Sequence, residues 1–367
     1  MRVLVLNAGS SSLKVSVVDP DDRVLTEREF EVAEGRVDAA QLANAVHGME
    51  GIEAVGHRVV HGGPRYTQSI RIDGDVIKYL VTITDLAPLH MPAALAGVSA
   101  ARELLPRTPG VACLDTAFHS RMPAAASTYA VPDEWRRRFG IRRYGFHGFS
   151  HAYASRRAAE ILRRSPHDLR VVTCHLGSGA SLAAVRGGRS VDTTMGFTPL
   201  EGLVMATRSG SVDAGAILYL QRHADKSEAE LTEALDRQGG LLALAGTGDM
   251  RELLRRIAAG DDDAELAFDV YIHRLRALVA AMAAAMNGLD ALVFTGGVGE
   301  NAPPVRAAAA AGLRFLGVEL GPTLNASLGP DSDISAPGAS VPTLVVKARE
   351  DVEVAREVRK VLAANPA

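Results

Sequence analysis

Three stretches of the chain share one pattern: an apolar run of strand length that stops at a turn rich in Gly with Ser or Asn. They are residues 3–6 before the turn 7–12 (NAGSSS), 171–174 before 175–179 (HLGSG), and 291–294 before 295–301 (TGGVGEN). After the first two turns apolar and polar positions alternate again, over 13–18 and 181–185, which predicts a β-hairpin in each place. The third runs into 302–311, where Pro303 and Pro304 in the opening turn predict a helix. Helices are also predicted at 92–105, 148–164, 263–286 and 351–362, and a strand at 111–114.

Units of strand, turn and strand set this far apart do not fit a solenoid. They predict one duplicated domain with a phosphate-contacting hairpin in each half, and the alternation of strands with helices predicts an α/β protein with mixed sheets. A chain of 367 residues suits two domains. The expected division is 1–117 plus 351–367, with the last helix returning to the first domain, and 118–350 as the nucleotide-binding second domain.

Composition narrows the function classes. The hydrophobic fraction of 47% and charged fraction of 23% are those of a soluble globular protein. Net charge is -3 and no basic stripe is interleaved with aromatics, so a nucleic-acid partner is not expected. Cys113 and Cys174, the only two cysteines, each lie in an apolar run. They exclude a disulfide framework and are expected to be buried thiols. The N-terminal apolar run is broken at Asn7, short of a signal peptide, and segments such as 277–286 are too short to span a bilayer. A cytoplasmic location with no membrane contact is expected.

Gly-rich turns behind a strand let backbone N–H groups approach a phosphate. The stretch NAGSSSLK (7–14) adds an amide, three hydroxyls and Lys14, which suit a terminal phosphate and its metal. Its order of Gly, Lys and Ser is not that of a Walker A loop, and a serine-rich hairpin turn is the competing reading. Arg58, between His57 and His61 at the end of an apolar strand, can match a carboxylate or phosphoryl oxygen pair with its planar fork. The alternative is a surface arginine flanked by two solvated histidines. Asp115 follows the strand 111–114, where α/β proteins bind ligands, unless it only caps a helix. His147 stands between Phe146 and Gly148, the latter suggesting close backbone approach; packing alone would also account for it. Arg208 is either a second anion-binding arginine or an ion-pair partner of Asp213. Glu350 and Asp351 open the last helix, where acids favour the dipole in any case. No nucleophilic triad and no zinc spacing occurs. Phosphate loops, two arginines, a histidine, an aspartate and Asn7 with an acid for Mg²⁺ make up the set that phosphoryl transfer needs.

At these residues the chain resembles the acetate kinase family, within the superfamily of sugar kinases, actin and chaperone ATPases. The resemblance runs from Met1 to about Arg356 and rests on NAGSSSLK, GHRVVHGG, LAPLHMP, DTAFH, YGFHGFSH, HLGSG, DTTMGFTPLEGLVMATRSG, GDMRE and FTGGVGEN. It implies two duplicated actin-like (ribonuclease H-like) domains, their mixed sheets flanked by helices, with an active-site cleft between them. The implied reaction is the reversible, Mg²⁺-dependent transfer of the ATP γ-phosphoryl group to acetate, giving acetyl phosphate and ADP by direct in-line transfer. Mn²⁺ is an alternative metal, and a homodimer is implied.

Residue by residue, the resemblance gives Asn7 and Glu350 to the metal and Lys14, Ser10 and Ser12 to ATP. Arg58 goes to the carboxylate, Asp115 is the essential acid, and His147 and Arg208 stabilise the transition state. The nucleotide is wrapped by His175, Leu176, Gly177, Ser178 and Gly179, by Asp249, Met250 and Arg251, and by Gly297, Val298, Gly299, Glu300 and Asn301. Val60, Leu89, Phe146 and Pro199 match the small pocket for the substrate methyl group, with Val60 where propionate kinases tend to carry a smaller residue. Three departures stand out: Ser178 replaces an Asn, Arg349 precedes Glu350 in ARED where TNEE is usual, and the stretch 19–56 is short. The competing functions are a propionate or short-chain acyl kinase and a non-metabolic actin-like nucleotide-binding protein. Against the latter stand Arg58, Arg208 and His147, which serve no purpose without a second anionic substrate.

Overall fold

A computed structural model describes residues 1–8, 12–31, 39–88, 90–327, 329 and 331–364. The chain divides into two compact units, Met1–Ser120 with Phe146–Tyr153 and Arg349–Ala367, and Arg121–Gly145 with Ala154–Ala348. Phe146–Tyr153 and Glu350, placed in the second domain on sequence, thus belong to the first unit. Phe149 is the reason for the early return, since it packs into the core beneath the first sheet with Val3, Val5 and Cys113.

The first sheet has the order β3-β2-β1-β4-β6-β5. Its strands are β1 (Val3–Ala8), β2 (Ser12–Val18), β3 (Val24–Glu31), β4 (Ala54–Val59), β5 (Ile70–Arg71) and β6 (Gly110–Leu114). β1, β2 and β3 form an antiparallel meander, while β1, β4 and β6 run parallel. β1 is buried on both faces, which is why its sequence is a continuous apolar run. Leu4 and Leu6 meet Ala93, Ala100 and Ala101 of the helix Met91–Leu104. On the other face Val3 and Val5 pack with Val354, Ala355 and Val358 of the helix Glu350–Ala364.

The second sheet, β11-β12-β10-β7-β8-β9, repeats this plan strand for strand. Here β7 (Arg170–Leu176), β8 (Ala180–Arg186) and β9 (Arg189–Thr193) form the meander. β10 (Ala291–Thr295) and β12 (Thr343–Val345) run parallel to β7, with β11 (Ser332–Asp333) at the edge. Two copies of one mixed sheet are the duplicated actin-like architecture. The third glycine-rich turn differs from a plain turn, because Gly296–Asn301 is itself helical and leads into the helix Pro303–Ala311. Cys113 and Cys174 are free and buried, and among the described residues no helix is long and apolar enough to cross a membrane.

Candidate active site

In the first unit Asn7, Arg58 and Asp115 stand at or just beyond the carboxyl ends of the neighbouring parallel strands β1, β4 and β6, the edge at which open α/β sheets bind ligands. Arg58 gathers them. Its Nε donates to Asp115 Oδ1 at 3.2 Å and its Nη2 to Oδ2 at 2.7 Å, a two-point pair. The remaining Nη1 lies 3.1 Å from Glu350 Oε2 and 3.4 Å from Asn7 Oδ1. Asp115 is only 1% exposed. Burial pushes its carboxyl up, against the pull of Arg58. Burial also disfavours the Arg58 charge, yet Asp115 and Glu350 outweigh it and raise the guanidinium's pKa further. Asp115 therefore pairs and does not cap the short helix that follows, whose N-cap is Thr116. His57 and His61 are buried, not solvated, and burial pushes them down to about 3 and about 4, so both are neutral at pH 7.

The segment Phe146–Tyr153 reaches Asp115 through its backbone. The His147 N–H donates to the Asp115 carboxylate, and His147 holds φ at 56°, the left-handed region that few non-glycine residues occupy. Gly148 is required next to it, because a β-carbon there would stand 2.1 Å from the Asp115 carbonyl oxygen. Buried His119, neutral with its pKa pushed down to about 4 by burial, donates from Nε2 to the Phe146 carbonyl at 3.0 Å and fixes the same segment. Phe146 itself is buried, edge-on to His61 at 5.7 Å between ring centroids. Val60 is half-buried and packs beside Val59, Val76 and Leu80. Lys14 sits opposite Asn7 in the β1–β2 register, a cross-strand neighbour, and its ammonium lies 3.5 Å from Glu29.

In the second unit the glycine-rich segments converge. Thr295 pairs with His175 at the ends of β10 and β7. Gly296, with φ of 80°, presses on this edge; a β-carbon there would lie 2.8 Å from the Leu176 carbonyl oxygen. The Ser178 carbonyl accepts from the Ala206 N–H at 3.1 Å, tying the 175–179 turn to the segment that carries Arg208. The Arg208 Nη1 donates to the Pro199 carbonyl at 3.2 Å. Its expected partner Asp213 instead caps the helix Ala214–His223. Burial pushes Arg208 down, with Asp236 the acid that opposes this. Asp249 caps the helix Met250–Ala258 and pairs with Arg251 at 2.8 Å. Ser10 and Leu89 lie outside the described residues.

Sequence reasoning missed Arg306. It is fully buried, and its guanidinium donates at 2.8 Å to the Gly299 and Glu300 carbonyls and to Asn325 Oδ1 and O. Among the described residues it has no carboxylate partner, and burial pushes it down to about 10. Glu300 Oε1 accepts from the Gly296 and Ala348 N–H groups, at 3.1 and 2.9 Å, and so pins the other end of the same short helix. An i+5 arginine after Asn301 was the available signal. Arg306→Met keeps the volume but leaves these acceptors unpaired. It is expected to cost about 3 kcal/mol and to raise the KM for ATP several-fold, as read by urea denaturation and initial rates.

Among the described residues no three His, Cys, Asp or Glu side chains form a metal cage. The donors around Arg58 nevertheless suit Mg²⁺, which takes oxygen ligands and is commonly held by one or two carboxylates together with substrate phosphates. Asp115, Glu350 and Asn7 supply two carboxylates and an amide oxygen.

The sequence profile of the acetokinase family matches residues 37–356. The acetate kinase of Gloeobacter violaceus is 46% identical over 399 aligned positions, spanning 97% of this chain and 98% of that one. Among solved structures, Porphyromonas gingivalis acetate kinase superposes with a TM-score of 0.90 at 36% identity, covering 98% of this chain and 99% of that chain. A propionate kinase from Francisella tularensis gives the same TM-score of 0.90 at 36% identity, with 98% and 99% covered.

Proposed function

Since the chain belongs to the acetokinase family, we propose that it transfers the γ-phosphoryl group of ATP reversibly to acetate, directly and in line. The observation that carries this reading is the half-buried Arg58, gripped on one edge by Asp115 and more loosely on the other by Glu350 and Asn7. Asp115 orients the guanidinium, and the Nη1 edge exchanges its longer contacts for the substrate carboxylate. His147 and Arg208 neutralise charge spread over the equatorial phosphoryl oxygens. The turns 175–179 and 297–301, with Asp249, Met250 and Arg251, hold the nucleotide, and Lys14 with Ser10 and Ser12 meets its phosphates. Asn7 and Glu350, with Asp115 beside them, would hold Mg²⁺, which screens the phosphate charge. No side chain is needed as a covalent phosphoryl carrier.

The test is an acyl-phosphate assay with Mg-ATP and hydroxylamine, run separately on acetate, propionate and butyrate. Hydroxamate formed best from acetate is expected. A folded protein that binds ATP yet gives none from any acid would overturn the reading in favour of a nucleotide-binding protein. Val60, Leu89, Phe146 and Pro199 shape the methyl pocket in this reading. One methylene in such a pocket is worth about 1–3 kcal/mol. Val60→Ala is therefore expected to raise the propionate-to-acetate ratio of kcat/KM by about tenfold; an unchanged ratio removes Val60 from the pocket.

A homodimer is the assembly we propose. Val212, Leu218, Tyr219 and Leu220, on and beside the helix Ala214–His223, are exposed large hydrophobics, an unusual grouping for a monomer surface. Sedimentation velocity is expected to show a dimer that Leu218→Glu converts to monomer. The buried free thiols support a cytoplasmic location.

A further inference from the structure

The first unit contains a second place built for an anion. A hollow of about 360 Å³ lies beside β4 and β5, under the end of the helix Met91–Leu104 and the 105–110 connection. This is within the size range of small-molecule sites. Arg71, Arg102 and Arg107 line it, and all three are exposed. Among the described residues none of them has a carboxylate partner. Three unpaired guanidinium groups around one concavity repel one another, and each presents a planar fork that matches an oxyanion.

The inner wall adds a second observation. His57 lines the same hollow and is 3% exposed. Leu105 and Pro109 give the hollow an apolar, conformationally fixed side. Successive residues of a strand point to opposite faces, so His57 and Arg58 of β4 serve opposite sides of the sheet. The hollow is therefore separate from the Arg58 cluster.

We propose that this hollow binds a small multivalent oxyanion, a phosphate ester or a polycarboxylate, held by Arg71, Arg102 and Arg107 over His57. The shared chemistry is two or more anionic oxygens spaced to meet separate guanidinium forks. The site is independent of the phosphoryl-transfer reading and does not compete with nucleotide.

The test is calorimetric titration of the full chain with pyrophosphate and, separately, citrate, in Mg²⁺-free buffer with and without saturating ADP. Expected is one site whose affinity ADP leaves unchanged and which weakens by about tenfold or more in R102S/R107S. Arg71→Ser is expected to weaken it similarly, and His57→Phe several-fold, with thermal midpoints checked for every variant. These arginines are exposed, so the serine variants are expected to fold as the wild type does. Binding of pyrophosphate alone assigns the phosphate-ester class, and binding of citrate alone assigns the polycarboxylate class. Binding of both assigns recognition by charge. Absence of binding by either anion overturns the proposal. So does binding abolished by ADP, or affinity indifferent to the arginine substitutions.

Discussion

Arg58→Ala is expected to lower turnover by about a thousandfold or more and, unlike a purely catalytic lesion, to destabilise the protein as well. The guanidinium bridges Asp115 and Glu350, and removing it leaves the nearly inaccessible Asp115 carboxylate facing another carboxylate without a cation. Breaking a buried pair from one side costs about 3–5 kcal/mol. The sign of the pH dependence follows. Burial already pushes Asp115 up, Arg58 is the main group pulling it down, and Glu350 pushes it up again. Without Arg58 the folded state binds a proton that the unfolded chain, with an ordinary aspartate pKa near about 4, does not bind between that value and the raised one. Stability of the variant relative to wild type therefore grows as pH falls from neutral toward 5 and shrinks as pH rises. Urea midpoints at pH 7 and pH 5, read beside the hydroxamate assay, check both halves. Wild-type midpoints at both pH values would mean that the pair does not support the fold, and near-normal turnover would remove Arg58 from the chemistry.

Arg208→Ala is expected to cut turnover by about 10³–10⁵, the range for an arginine that neutralises a transferring phosphoryl group, while leaving the thermal midpoint nearly unchanged. The contrast with Arg58 comes from what each side chain touches. Arg208 is half-buried and donates to one carbonyl, with Met205 Sδ at 3.9 Å. Among the described residues it has no ion pair, so its loss leaves no buried carboxylate behind. A cation pushed down by burial and left short of partners is one for which a developing negative charge is worth most. Arg208→Lys is expected to recover little, since an ammonium cannot reproduce the planar fork. Turnover within tenfold of wild type in Arg208→Ala would exclude the role.

Much of this arrangement was legible in the sequence because its signals are local. Period-two alternation on both sides of 7–12 and 175–179 is enough for two hairpins, and an apolar run ending at Asp115 is enough to put an acid at a sheet edge. What was not legible depends on residues distant in sequence. Nothing around 146–153 says that these few residues rejoin the first unit; that follows from Phe149 fitting a core made by β1 and β6. Asp213, near Arg208 in sequence, looked like its partner, but the cap of its own helix claimed it. The glycines of 296–301 read as a turn on propensity, and the helix exists because Glu300 and Arg306 hold its two ends. The pairing of Arg58 with Asp115 joins groups 57 positions apart, which no spacing rule anticipates.

The first unit is assembled from three separated pieces of chain, and the helix Glu350–Ala364 is made long after the sheet it covers. At roughly 5–20 residues per second, ribosomal synthesis separates the two by tens of seconds. During that interval Val3, Val5, Val111 and Cys113 belong to a sheet face that has Phe149 but lacks Val354, Ala355 and Val358, whereas the second unit already has all of its segments by Ala348. The part that begins synthesis first is therefore completed last. Its nascent form offers holding chaperones an apolar surface and a thiol that the finished protein conceals.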